Sequence, residues 1–128
     1  MKTLLVLGLS FFLLLMNDGA ARALEVAEGL ITTGVIDHRP VDNVQGWPAA
    51  SGPLSCFTRI LGAEEPTTIF HVWYWGDREM ARIELRVGHS PWNTWSVKTL
   101  EAGWTGDWRV EVVDETGQLL RSIPFTLF

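Results

Sequence analysis

The run Arg78 to Val87 reads Arg-Glu-Met-Ala-Arg-Ile-Glu-Leu-Arg-Val, and its strict alternation constrains this chain more than any other feature. Successive side chains on a β-strand point to opposite faces. Ala81, Ile83, Leu85 and Val87 therefore share one face, and Met80, Arg82, Glu84 and Arg86 share the other. A helix would scatter the same residues around its axis, so the segment commits to a half-buried strand. Thr67 to Trp75 precedes it, rich in β-branched and aromatic residues. Gly76-Asp77 lies between the two, and a glycine that supplies positive φ suits a two-residue hairpin turn.

The same period recurs along the chain. Strands are expected around Leu30 to His38, Phe57 to Leu61, Trp95 to Leu100, Trp108 to Val113 and Leu119 to Leu127. Turns rich in Gly, Pro and Asp separate them, and Pro124 marks an edge or a bulge. About seven short strands at regular spacing predict an all-β domain, a small immunoglobulin-like β-sandwich. The segment Arg39 to Pro53 reads as a loop that contains Trp47. No repeat or second domain is visible, so residues 24–128 are expected to form one domain.

The first residues, Met1-Lys2-Thr3, are followed by an apolar run from Leu4 to Met16 and by Ala21-Arg22-Ala23. A positive start, a short apolar run and a small-x-small site have the order of a secretory signal peptide. The run falls short of the ~20 apolar residues a spanning helix needs. Cleavage after Ala23 is thus expected, with an uncleaved anchor as the alternative, and the destination is the periplasm or the outside of the cell. Cleavage would remove Lys2, Arg22 and Asp18, taking the basic and acidic counts from 10 and 15 to 8 and 14, a net charge of −6. An acidic chain is a poor partner for nucleic acid or anionic lipid. Cys56 is the one cysteine, so no internal disulfide forms. It reads as a buried apolar thiol or as one half of an intermolecular bridge. Seven tryptophans supply apolar area that a domain without disulfides needs.

The hairpin also assigns faces. A two-residue loop pairs Trp75 with Arg78, Tyr74 with Glu79 and Val72 with Ala81, which puts Phe70, Val72 and Tyr74 in the core. His71, Trp73 and Trp75 then share the outer face with Arg78 and Arg82, and Trp92 and Lys98 are expected to close over its end. Two roles are open to this face. The indoles and arginine stems can pack on one another as structure. Alternatively, flat indoles and guanidinium groups form a platform that stacks on sugar rings and holds acidic groups.

Several of these residues fall in a familiar order. His71-Val72-Trp73-Tyr74, then Trp92-Asn93-Thr94-Trp95-Ser96-Val97-Lys98, then Trp108-Arg109-Val110-Glu111-Val112 and Phe125 resemble a bacterial family catalogued as domain of unknown function 2914. The stretch Thr33 to Pro40 also resembles its opening strand, so the resemblance spans nearly all of the chain beyond the signal. Asn93 stands where the family pattern has arginine, and Val97 where it has a second serine. If that arginine holds a ligand in the family, this chain binds less well or differently. The resemblance implies an extracytoplasmic bacterial domain and supplies no activity.

Catalytic and metal patterns are missing. His38, His71 and His89 are far apart and only one cysteine accompanies them, which does not give zinc-ligand spacing. No G-x-S-x-G motif or phosphate-binding loop occurs, and Glu64-Glu65 sits in a turn. No catalytic residue, metal or cofactor is expected, and the chain does not read as an enzyme. The expected function is an exported binding or accessory module that recognises an envelope glycan or protein through the Trp/Arg face. The alternative is a structural protein-interaction domain of the envelope.

Overall fold

Period-two patterning becomes two sheets packed face to face in the computed structural model, which describes residues 23–128. Seven long strands carry them: β1 (Glu25–Thr32), β5 (Leu54–Leu61), β6 (Thr67–Trp75), β7 (Arg78–Val87), β8 (Trp92–Lys98), β9 (Gly106–Asp114) and β10 (Leu119–Leu127). Three short pairs of residues complete the set: β2 (Val35–Ile36), β3 (Arg39–Pro40) and β4 (Gly46–Trp47). One sheet has the order β1-β5-β8, the other β4-β10-β9-β6-β7, and β2 and β3 form a hairpin of their own. All pairings are antiparallel except β10 with β4. The described residues are all-β, as their patterning predicts. The expected signal segment lies outside the described residues apart from Ala23, and no helix among the described residues is long and apolar enough to cross a membrane.

The core lies between the two sheets. Val26, Ile31, Leu54, Cys56 and Ile60 come from one, and Ile69, Trp73, Val87, Trp108, Val110, Val112, Phe125 and Leu127 from the other. The expected core positions Trp108, Val110 and Val112 are all buried. Cys56 is a free, fully buried thiol, and burial pushes its pKa up beyond the range of any working thiolate. The first strand runs over residues 25–32 rather than 30–38, straight through Gly29. A side chain at Gly29 would place its Cβ 2.9 Å from Cδ1 of Ile123, so the glycine allows β1 to approach β10 closely.

The hairpin holds the main correction. Gly76 adopts φ 55°, and Trp75 pairs with Arg78 and Tyr74 with Glu79, as expected. The next pair is Trp73 with Ala81, not Val72 with Ala81, because Met80 is an extra residue in β7. A bulge of one residue reverses which face meets which beyond it. Ala81, Ile83 and Leu85 still pack on the core, but their partners on that face are Trp73, His71 and Ile69. His71 and Trp73 are therefore interior and not on the outer face. Phe70 and Tyr74 lie on the outer side, half-buried, and Val72 between them is covered by its neighbours. Glu111 lies opposite Val72 on β9 and pairs at 2.9 Å with Arg109, whose guanidinium sits 4.2 Å from the Tyr74 ring centre.

Candidate functional site

The seven residues singled out on the hairpin face do not form one surface. His71 and Trp73 belong to a buried polar network. Thr58 Oγ1 donates to the Thr94 carbonyl at 3.2 Å, so it accepts from His71 Nε2–H at 3.1 Å. Trp73 Nε1, which only donates, gives its hydrogen to Ser96 Oγ at 3.1 Å. The Ser96 hydroxyl hydrogen then goes to His71 Nδ1 at 2.7 Å. Every donor and acceptor is satisfied by a neutral imidazole carrying its proton on Nε2. Burial lowers the His71 pKa from 6.5 to about 3, consistent with that neutral state. The Ser96–His71 contact has the spacing of a nucleophile and its base, yet both side chains are buried.

The other five separate further. Trp75 is half-buried and stacks on Trp108, centroids 6.1 Å apart and planes 11° apart, with its Nε1 donating to the Thr105 carbonyl. Lys98 Nζ lies 5.0 Å from the centre of the Trp104 ring at the same end of the fold. Arg78 is exposed at the hairpin turn, and Arg82 pairs with Glu79 on the outer face. Trp92 alone of the seven lines a distinct cleft.

That cleft, of about 590 Å³, opens where the edge strands β7 and β8 of the two sheets meet. β8 is antiparallel to β5 with Asn93 opposite Arg59 and Trp95 two residues on, so these three share the outer face of the smaller sheet. Arg86 comes from β7, and His89 from the connection between β7 and β8. His38 comes from the tip of the β2–β3 hairpin, which lies over the same sheet. Arg39 of that hairpin pairs with Glu28 of β1 at 3.1 Å and sits 5.5 Å from the Phe57 ring centre. Asp37 and His38 have φ 51° and 60°, the left-handed values a two-residue turn of this type requires at both positions. Asn93 ties the parts together: its Oδ1 accepts from Arg59 Nη1 at 3.2 Å and its Nδ2 donates to the His38 carbonyl at 3.0 Å. His38 meets Trp95 edge-on at 5.5 Å, and His89 meets Trp92 edge-on at 4.7 Å. The Trp92 ring lies over Gly88, where a Cβ would come within 2.8 Å of it.

The electrostatics of the cleft oppose those of the chain. Its lining carries two guanidinium groups, two imidazoles and no carboxylate, on a protein of net charge −5. Neither Arg59 nor Arg86 pairs with a carboxylate among the described residues. A roomier groove of about 740 Å³ beside β1 and β10 sets Asp107 against Arg109. A third, near the start of β1, is lined by four carboxylates and no basic group. Sequence reasoning missed His38, Arg59, Arg86, His89 and Trp95 because they come from separate segments, and the pairing of β5 with β8 is what brings Arg59 and Trp95 together. Trp92 among the expected binding residues and the substitution of Asn93 for the pattern's arginine were the two pointers to this place. Among the described residues no three His, Cys, Asp or Glu side chains are grouped to hold a metal ion.

The family described as "Protein of unknown function (DUF2914)" matches residues 66–127, which run from the start of β6 to the end of β10. The Thr33–Pro40 stretch lies before the matched segment. No curated protein matches the chain.

Proposed function

From the match of residues 66–127 to the DUF2914 family, we propose that this chain is an exported binding or accessory module of the cell envelope, with an immunoglobulin-like sandwich as scaffold and the cleft between β7 and β8 as its ligand seat. The observation that supports this reading is the concentration of two unpaired arginines and two tryptophans in a cleft without a carboxylate, on an acidic chain. Its volume lies within the range of pockets that hold small ligands. Guanidinium groups bind acidic oxygens through directed pairs of hydrogen bonds, and indole faces give apolar area to ring-shaped ligands. The signal-like order of residues 1–23 supports export. The test is a tryptophan fluorescence titration with envelope polysaccharide, run on the wild type and on Trp92→Ala and Trp95→Ala. Saturable quenching that either substitution weakens supports the reading, and an unchanged spectrum with every fraction counts against it.

A second reading has its own support. β7 ends its sheet, and among the described residues no further strand hydrogen-bonds to its outer edge over the ten residues Arg78–Val87. A free edge of that length accepts a strand from a partner protein. The two readings differ in one outcome: a partner held by edge pairing is lost when Arg82 is replaced by proline, whereas a ligand in the cleft is not.

A further inference from the structure

We propose that the cleft between β7 and β8 takes a sugar ring bearing an anionic substituent, carboxylate or phosphate, with Arg59 and Arg86 as its two anchoring cations and Asn93 as the residue that positions Arg59. This rests on the reading of the cleft as the ligand seat and adds the chemistry of the ligand.

The two arginines approach from different sheets. Arg59 is on the central strand of the smaller sheet and Arg86 on the edge strand of the larger one, so the cleft straddles the seam between them. Arg59 is half-buried, which removes part of its hydration and strengthens its attraction for an incoming anion. Among the described residues its side-chain partner is a neutral amide oxygen, which holds the guanidinium without cancelling its charge. Five N–H donors sit on that group, and Asn93 occupies one nitrogen. The remaining edge of the fork suits the paired oxygens of a carboxylate or phosphate. An aspartate at 93 would hold Arg59 as well and would neutralise it, so the choice of amide keeps the positive charge available.

The indoles argue for a ring rather than a bare ion. Trp92 and Trp95 are both half-buried in the lining, and both are pinned by edge-on imidazoles. A free inorganic anion gains nothing from such a surface, whereas the C–H face of a pyranose stacks on it.

The experiment is calorimetric titration of the protein with an oligogalacturonide, a neutral galactose oligomer of equal length, a hexose 6-phosphate and inorganic phosphate. Binding of an acidic sugar, with the neutral oligomer and inorganic phosphate much weaker, supports the proposal. The uronate and phosphate arms show which anion the site prefers. Arg59→Gln and Arg86→Gln should each weaken that binding by about tenfold or more, the scale of a charge-assisted hydrogen bond. Asn93→Asp should weaken it further than Asn93→Ala does, a difference that a purely structural asparagine would not produce. Thermal melts of each variant confirm that it folds. Equal binding of neutral and acidic sugars overturns the proposal and leaves the cleft as a ligand seat. Acidic-sugar binding that ignores both arginine variants places the ligand elsewhere and overturns the proposal and the reading beneath it. Failure of every sugar to bind does the same.

Discussion

Acid should destabilise this protein through one side chain more than any other, His71. In the unfolded chain the imidazole has its ordinary pKa of 6.5, and in the folded chain burial lowers it to about 3. Between those values the unfolded state binds a proton that the folded state refuses, so stability is present above pH 6.5 and drains away as pH falls. Each pH unit below 6.5 costs about 1.4 kcal/mol. At pH 4.5 the loss from this group is then about 3 kcal/mol, a large share of the ~5–15 kcal/mol typical of a domain. Two carboxylates add to the trend. Burial raises Asp42, but hydrogen bonds from Thr33 and Thr32 outweigh it and leave its pKa lowered. The Thr116 hydroxyl and nearby backbone amides lower Asp114. Both are shared by any His71 variant and cancel in a comparison. The assay is urea unfolding at pH 7.5 and pH 4.5 of the wild type and of His71→Gln, whose amide does not titrate. The wild type should lose about 3 kcal/mol more than the variant over that interval. Equal losses, or imidazole resonances of His71 that titrate near pH 6.5, would refute the reasoning.

Three further outcomes follow from the packing and the N-terminal order. Trp75→Ala should lower stability by about 2 kcal/mol or more, because the indole stacks on Trp108 and its N–H holds the Thr105 carbonyl; chemical denaturation that finds no change would show the stack to be idle. Gly88→Ala should destabilise by about 1–3 kcal/mol, since its Cβ meets the Trp92 ring, and it should shift tryptophan emission; an unaltered spectrum and melt would mean that the ring moves aside freely. Mass spectrometry of the exported protein should find Leu24 as the first residue, and retention of Met1 or Lys2 would count against cleavage.

Much of the fold was legible because strand chemistry is local. The alternation in Arg78–Val87, the glycine at the turn and the run from Trp108 to Val112 each carry their own facing. The orientation of β6 was not legible, because Met80 is an ordinary apolar residue at a position that reads as regular strand. What decides the matter is the pair of hydroxyls, Thr58 and Ser96, waiting on other strands for His71 and Trp73. The cleft was hidden for the same kind of reason. Arg59 and Asn93 are 34 residues apart and become neighbours only once β5 and β8 have paired.

Cys56 is sealed among the apolar side chains of the core, and the domain has no second thiol to join it. Its folding therefore involves no internal disulfide. No thiol oxidant, disulfide isomerase or disulfide-shuffling step stands between the newly made chain and the finished fold, and a reductant has no covalent staple to cut. A domain built this way folds on the same timetable in reducing and oxidising surroundings, and its melting curve should be indifferent to dithiothreitol.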